Sequence, residues 1–405
     1  MTFRALIPAV LVALALCPAA LADEPPRMAG IEMVEAWPGA EFKNPIGIVH
    51  AGDGSDRLYV IEKAGRVLML PKWRGVGPVP SATTFLDIRD RVHAAMQGGI
   101  MGLAFHPRYA QNGKIYASYV QTHSDARAPA LKFKLVVSEM TARGGKADPS
   151  TTRVLLEIPK KFPIHQAGRI RFGPDGLLYI ATGDGGSKYD ADGEAQNPRG
   201  MLGKMLRIDV DGRTGGKAYG IPPRNPWPNM PGRVRPEIYA FGFRNPWGFD
   251  WNEQKRLFTT EPGSTGPESR EWIMEVTWGG NHGWPFNEGK KRLKAPPPHI
   301  DANAIVKPAF EWVRGQGDSG TAGIGGRFYR GSRLPSLRGK YVFGDFMRGQ
   351  VYAIDLGGAK GKAVGTGWQL LGEVPDVAGV GSDAQGEVYF PSFELGMVFT
   401  LTRGG

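Results

Sequence analysis

His165 and Arg244 stand at the same distance from matching strand residues in two successive stretches of the chain. His165 lies 7 residues before Phe172 and 14 before Tyr179, and Arg244 lies 7 before Trp251 and 14 before Phe258. Gln97 lies 8 before Phe105, one residue more than that shared offset. Polar residues recurring at one offset point to equivalent loops of a repeated fold, gathered around a shared site. The chemistry such a site offers is proton transfer beside a cation. A neutral imidazole takes a proton near neutral pH, and a carboxylate partner orients it. Asp184, in Thr182-Gly183-Asp184-Gly185-Gly186, follows the Tyr179 strand and can return to the same place. An aspartate there equally serves to cap its own glycine-rich turn. Arg244-Asn245-Pro246 offers a guanidinium and an amide to an anionic or carbonyl oxygen, or else a buried arginine that ties neighbouring units together. The pairs Asp190, Asp192 and Asp209, Asp211 lack the full calcium-loop pattern and read as turn residues.

The elements that must position these residues recur along the chain. A turn with Gly, Asp or Lys is followed by a strand carrying an aromatic residue at Leu58-Tyr59, Ile115-Tyr116, Leu178-Tyr179, Leu257-Phe258, Tyr341-Val342 and Val388-Tyr389. Counted from Tyr59, Tyr116, Tyr179, Phe258, Val342 and Tyr389, the steps are 57, 63, 79, 84 and 47 residues. Short strands between glycine-rich turns mean antiparallel sheet. Six units too small to bury their own faces predict radial stacking: an all-β, six-bladed β-propeller of four-stranded antiparallel blades. Closing the ring also protects the sheet edges. The long third and fourth steps predict insertions, one over residues 213–236 and another over 285–309. In a propeller, loops equivalent to those of Gln97, His165 and Arg244 meet at one mouth of the central channel.

Composition limits the function classes. Residues 1–22 read as an export signal, with Arg4, an apolar run over Ala5 to Ala15, and Ala20-Leu21-Ala22 before Asp23. Residues 23–405 are then expected to form one propeller domain, periplasmic or secreted. Removing the signal also removes Cys17, the one cysteine of the sequence. The remaining chain would have no disulfide, no thiolate metal site and no Cys-x-x-Cys-His haem attachment. No segment of that remainder is long and apolar enough for a transmembrane helix. The net charge of +11 is not accompanied by an arginine-rich run or an aromatic-basic motif, so a basic solvated surface is expected and not nucleic-acid binding.

Several segments together resemble the soluble quinoprotein sugar dehydrogenases, the glucose/sorbosone and aldose sugar dehydrogenase family. They are Gln97-Gly98-Gly99-Ile100-Met101-Gly102-Leu103, His165-Gln166-Ala167-Gly168-Arg169, Phe172-Gly173-Pro174-Asp175-Gly176, Thr182-Gly183-Asp184, Leu202-Gly203-Lys204-Met205-Leu206, Arg244-Asn245-Pro246 and Gly279-Gly280-Asn281-His282-Gly283-Trp284-Pro285. The match runs in order from about Asn44 to the C-terminus. The resemblance implies pyrroloquinoline quinone (PQQ) across the channel mouth and Ca2+ beside it. It implies His165 as the general base that removes a sugar hydroxyl proton, with Asp184 orienting it. Gln97, Arg244 and Asn245 are implied around the reactive quinone oxygens, and Gly266 and Pro267 as backbone ligands of the calcium.

The sequence departs from that pattern in three places. Where the glucose-oxidising members have a lysine for PQQ, Phe346-Met347-Arg348-Gly349 places Met347, with Arg348 alongside. The two arginines those members carry near the C-terminus have no counterpart in Gly372-Glu373-Val374-Pro375-Asp376-Val377. At a second calcium site only Glu271 is left to serve. The implied activity is PQQ-dependent oxidation of an aldose hydroxyl to a lactone, with electrons passed to a separate cytochrome or quinone. The competing expectations are a non-catalytic propeller that binds a protein or a carbohydrate, and a calcium-dependent lactonase.

Overall fold

The computed structural model describes residues 25–404 apart from 74, 76, 231, 267, 314–320 and 359–364. The expected export signal therefore lies outside the described residues, as does Pro267. A first strand, β1 (Ile31–Glu35), precedes blade 1, which is formed by β2 (Pro45–His50), β3 (Leu58–Glu62), β4 (Arg66–Leu70) and β5 (Thr83–Asp87). Blade 2 consists of β6 (Ile100–Phe105), β7 (Lys114–Thr122), β8 (Phe133–Arg143) and β9 (Lys146–Lys160). Blade 3 consists of β10 (Ala167–Phe172), β11 (Leu178–Thr182), β12 (Lys204–Ile208) and β13 (Ile238–Phe241). Blade 4 runs through β14 (Gly248–Trp251), β15 (Leu257–Glu261) and β16 (Arg270–Val276). A small hairpin of β17 (Asn287–Glu288) and β18 (Lys291–Arg292) interrupts it before β19 (Phe310–Val313). Blade 5 consists of β20 (Gly323–Phe328), β21 (Tyr341–Asp345), β22 (Gln350–Asp355) and β23 (Thr366–Glu373). Blade 6 has β24 (Gly381–Ser382), β25 (Val388–Ser392) and β26 (Met397–Arg403), and its fourth strand is β1. The six-bladed propeller expected from the repeat is the fold observed, and each repeated aromatic motif is the second strand of a blade.

The repeat has a physical cause. At four successive junctions the second-strand aromatic of one blade docks on an aromatic at the end of the next blade's first strand. Tyr59 meets Phe105 at 4.5 Å between ring centroids, Tyr116 meets Phe172 at 5.3 Å, Tyr179 meets Trp251 at 5.0 Å and Phe258 meets Phe328 at 5.5 Å. Such tilted and edge-on pairs add to the burial of large apolar surfaces. The first strands, β2, β6, β10, β14, β20 and the approach to β24, line the central channel. Two of them come so close that a Cβ on Gly325 would sit 2.0 Å from Gly248 Cα, so glycine is required there.

Two features were not foreseen. β8 and β9 run to 11 and 15 residues, beyond the expected length; their hairpin stays on the core as far as its tip, where Ala142 and Ala147 are buried, with a register shift between Glu139 and Thr141. The ring is closed by β1, which carries no repeat motif and pairs antiparallel with β26 from Ile31 opposite Arg403 to Glu35 opposite Phe399. The predicted insertions do lie where expected, between β12 and β13 and between β16 and β19. Closure rests on few apolar side chains, of which Ile31 is buried in the blade 5–blade 6 core while its neighbour Glu32 is exposed. Ile31→Ala is expected to cost about 2–5 kcal/mol in urea unfolding, against less than about 0.5 kcal/mol for Glu32→Ala.

Candidate active site

The segments entering each first strand and the hairpins joining second to third strands share one face of the ring. There they surround a cavity of about 450 Å3. Gln97, His165, Arg244 and Asn245 all line it, so the offsets seen in the sequence do converge. Trp247, Phe346, Phe393, Ile324 and Met101 supply flat and apolar wall. Thr321, which also lines the cavity, went unnoticed in the sequence although it stands 7 residues before Phe328, the offset of His165 and Arg244 in their own blades.

His165 is held on every side. Its Nδ1 lies 2.7 Å from Asp184 Oδ1, and its backbone N–H donates to Gln97 Oε1 at 2.7 Å. An ionised carboxylate only accepts, so Nδ1 carries the proton and Nε2 keeps the lone pair. Asp184 is buried and fully engaged: Oδ2 accepts from Trp284 Nε1 at 2.8 Å and Oδ1 from the Gly186 N–H at 2.9 Å. Burial lowers the His165 pKa, the Asp184 hydrogen bond opposes this, and the Arg244 charge adds to the lowering. The imidazole is therefore neutral at neutral pH, the state a general base needs.

The local backbone is shaped to present that ring. His165 and Ala167 have φ of 49° and 46°, a left-handed conformation that costs energy for residues with a Cβ. Lys160, fully buried at the end of β9, offsets this by donating to the carbonyls of Ile164 and His165, both at 3.1 Å. Asn245 Oδ1 accepts the Ala167 N–H at 2.9 Å. A second buried lysine, Lys204, donates to the carbonyls of Glu194, Ala195 and Leu202 and so pins the loop that carries Asp184. Burial draws both ammonium pKa values down to about 7.

Arg244 faces the same cavity. Its Nη1 donates to Pro262 O at 3.1 Å, its Cζ stands 5.5 Å from the centre of the Trp284 ring, and its buried Nε has no hydrogen-bond partner among the described residues. The Arg244 N–H donates to Glu261 Oε1 at 3.0 Å, and burial raises the Glu261 carboxyl pKa to about 8. The sequence alone assigns no role to Lys160, Trp284 or Glu261. Trp284 meets Asp184 across 100 residues of chain, and no local pattern announces such a contact.

The expected calcium turn joins β15 to β16. Gly266 has φ of 136° and its carbonyl accepts the Ser269 N–H. Two buried carboxylates brace this turn. Glu271 accepts from the N–H groups of Gly263 and Gly323, linking blades 4 and 5, and Glu288 accepts from Arg270 N–H and Ser264. Among the described residues, no three or more His, Cys, Asp or Glu converge on a point that would hold a metal. At the blade 5 hairpin the cavity wall is Phe346; Arg348, two positions on, donates its N–H to Asp345 Oδ1 and is half-buried. Asp190 and Asp209 cap turns, accepting from Glu194 and Asp211 N–H respectively.

The family model described as Glucose / Sorbosone dehydrogenase matches residues 42–392. The chain belongs to the glucose/sorbosone dehydrogenase family. It is 31% identical over 364 residues to the HIPL1 protein of Arabidopsis thaliana, covering 76% of this chain and 52% of that one. It is 30% identical to the human Hedgehog-interacting protein, covering 90% of this chain and 50% of that one. The chain thus spans about half the length of these curated relatives. The PQQ-bound structure of aldose sugar dehydrogenase from Streptomyces coelicolor superposes with a TM-score of 0.68 at 21% identity, covering 93% of this chain and 99% of that one, a likeness of fold.

Gly183 separates the two catalytic candidates: a Cβ there would sit 2.0 Å from His165 O and 3.0 Å from Asn245 Oδ1. Both neighbours are fixed by hydrogen bonds. Gly183→Ala should therefore destabilise the fold by at least about 1–3 kcal/mol, measured by urea unfolding, and should shift the NMR signals of the His165 ring.

Proposed function

We propose that this protein is a PQQ-dependent aldose sugar dehydrogenase that oxidises a sugar hydroxyl to the lactone. The observation that carries this reading is the His165–Asp184–Trp284 chain of hydrogen bonds opening onto the same cavity as Arg244. A binding surface has no need of a neutral imidazole aligned by a buried carboxylate.

The cavity suits a planar aromatic dicarbonyl with acidic substituents. Its walls are flat rings, and its polar edge holds an arginine Nε and a Thr321 hydroxyl that are buried without hydrogen-bond partners among the described residues. Gln97, Arg244 and Asn245 would hold the quinone end, and Arg348 is the basic residue of the blade 5 hairpin. Calcium would take oxygen ligands from the Gly266–Pro267 turn, with Glu271 supplying negative charge to that turn. When bound, PQQ supplies the two-electron sink for alcohol oxidation.

The chain's own residues do the rest. His165 Nε2 takes the hydroxyl proton as the adjacent carbon is oxidised. Asp184 holds Nδ1–H and stabilises the imidazolium that forms. Trp284 and Gly186 keep Asp184 in place, so nothing reorganises when the charge appears. Arg244 offsets negative charge growing on the acceptor side of the cavity. Electrons then pass to an external cytochrome or quinone, and the signal-like residues 1–22 support a periplasmic or secreted location. Similarity to Hedgehog-interacting protein and HIPL1 favours a second reading, a non-catalytic propeller that binds a partner.

Apo-protein supplied with PQQ and Ca2+ should reduce an artificial dye when given aldoses. His165→Ala should lower kcat by about 10²–10⁴. Saturable PQQ binding with no turnover across a broad sugar panel would exclude the dehydrogenase, and absence of calcium-dependent PQQ binding would favour the non-catalytic propeller. The pH dependence follows from the lowered His165 pKa. Activity should hold as pH falls through 6.5, the ordinary histidine value, and be lost only when pH drops through the depressed value of the folded protein.

A further inference from the structure

Two cations line the mouth cavity, Arg244 from blade 4 and Lys63 from blade 1. In a ring of six they belong to opposite blades, so they face one another across the mouth. Neither forms a salt bridge among the described residues, whereas the basic residues of the channel and blade surfaces include many that do, such as Arg171 with Asp250 and Arg207 with Asp175. Carboxylates act on both only from a distance, Asp184, Glu271, Glu261 and Glu288 on Arg244 and Glu394 on Lys63. Unlike Lys160 and Lys204, whose donors are spent on backbone carbonyls, these two face the open cavity, where an anionic ligand can meet them directly.

Lys63 immediately follows β3, in the blade 1 hairpin equivalent to those that carry Asp184 in blade 3, Phe346 in blade 5 and Phe393 in blade 6. Its ammonium donates to Met96 O at 2.7 Å and lies 5.3 Å from the centre of the Phe393 ring. The Met96 bond anchors it beside Gln97, the residue that holds the His165 backbone. An ammonium has three N–H donors, so this single bond leaves donors for a ligand. Burial lowers the Lys63 pKa while the charge of exposed Glu394 raises it, as expected of a cation drawn partly out of water at a cavity rim. The Phe393 ring contributes a cation–π contact but carries no net charge to neutralise it.

We propose that Lys63 binds a carboxylate of the cofactor, so that this chain grips its polyanionic quinone from blade 1 instead of through the basic positions missing at Met347 and after Gly372. This rests on the PQQ reading above. The mouth then selects an elongated ligand with an electron-poor dicarbonyl at the Arg244 end and a carboxylate at the Lys63 end. A neutral quinone of similar shape gains nothing from Lys63.

The test is equilibrium binding of PQQ to the apo-protein in calcium, followed by quenching of tryptophan fluorescence, for the wild type, Lys63→Met and Lys63→Arg. Loss of a charge-assisted hydrogen bond should weaken PQQ about ten- to a hundredfold in Lys63→Met. Lys63→Arg should restore most of the affinity, and the thermal midpoints without ligand should agree. Phenanthrenequinone, which has no carboxylate, should bind the wild type and Lys63→Met equally. PQQ binding by Lys63→Met as tight as by the wild type overturns the assignment of Lys63 and leaves the PQQ reading intact. An equal loss for phenanthrenequinone also overturns it, since the effect is then one of shape. If the wild type itself does not bind PQQ, both proposals fall.

Discussion

The docking of one blade's second-strand aromatic onto the next blade's first-strand aromatic is the constraint on which the rest depends. Tyr59, Tyr116, Tyr179 and Phe258 each fix where the following blade stands. Because the buried partner sits at the far end of the first strand, the chain entering that strand is delivered to the opposite face of the ring. Seven residues before the aromatic is therefore a mouth position in blades 3, 4 and 5, where His165, Arg244 and Thr321 occur. A single packing rule, repeated at four successive junctions, brings side chains from distant parts of the chain to one cavity.

Within that cavity, rigidity comes from groups buried below the reacting surface. Lys160 and Lys204 spend their donors on backbone carbonyls of the two loops that carry His165 and Asp184. Gln97 and Asn245 each use a side-chain oxygen to hold a backbone N–H next to His165. A strained, left-handed His165 is kept in place by more hydrogen bonds than its own chemistry requires. The site is thus held by hydrogen bonds of the chain itself, the condition under which fixed dipoles and charges act most strongly.

Legibility from sequence was uneven, for physical reasons. The blade count was legible because Tyr59, Tyr116, Tyr179 and Phe258 perform one packing task and so recur as one residue class, with Tyr341 and Tyr389 on the corresponding second strands of blades 5 and 6. His165 and Arg244 were legible because they inherit that register. Thr321 obeys the same offset, but a lone threonine suggests no chemistry until its hydroxyl is seen buried at the cavity wall. Lysines after turns are common, so only its cavity position sets Lys63 apart. The β1 closure escaped notice because Ile31–Glu35 makes no aromatic dock and pairs with residues at the other end of the chain.

What the sequence determined by itself was periodic: strand class, number of blades, the places of the insertions and the offsets of polar residues from packed aromatics. These are local in origin, since each blade meets the same steric demand with nearby residues. Only the tertiary structure decided which polar groups touch: Trp284 on Asp184, Lys160 beneath His165, Glu271 between blades 4 and 5, and Lys63 across from Arg244. Hydrogen bonds and charge pairing depend on distances of a few ångströms between loops far apart in the chain, and such distances exist only once the ring has closed.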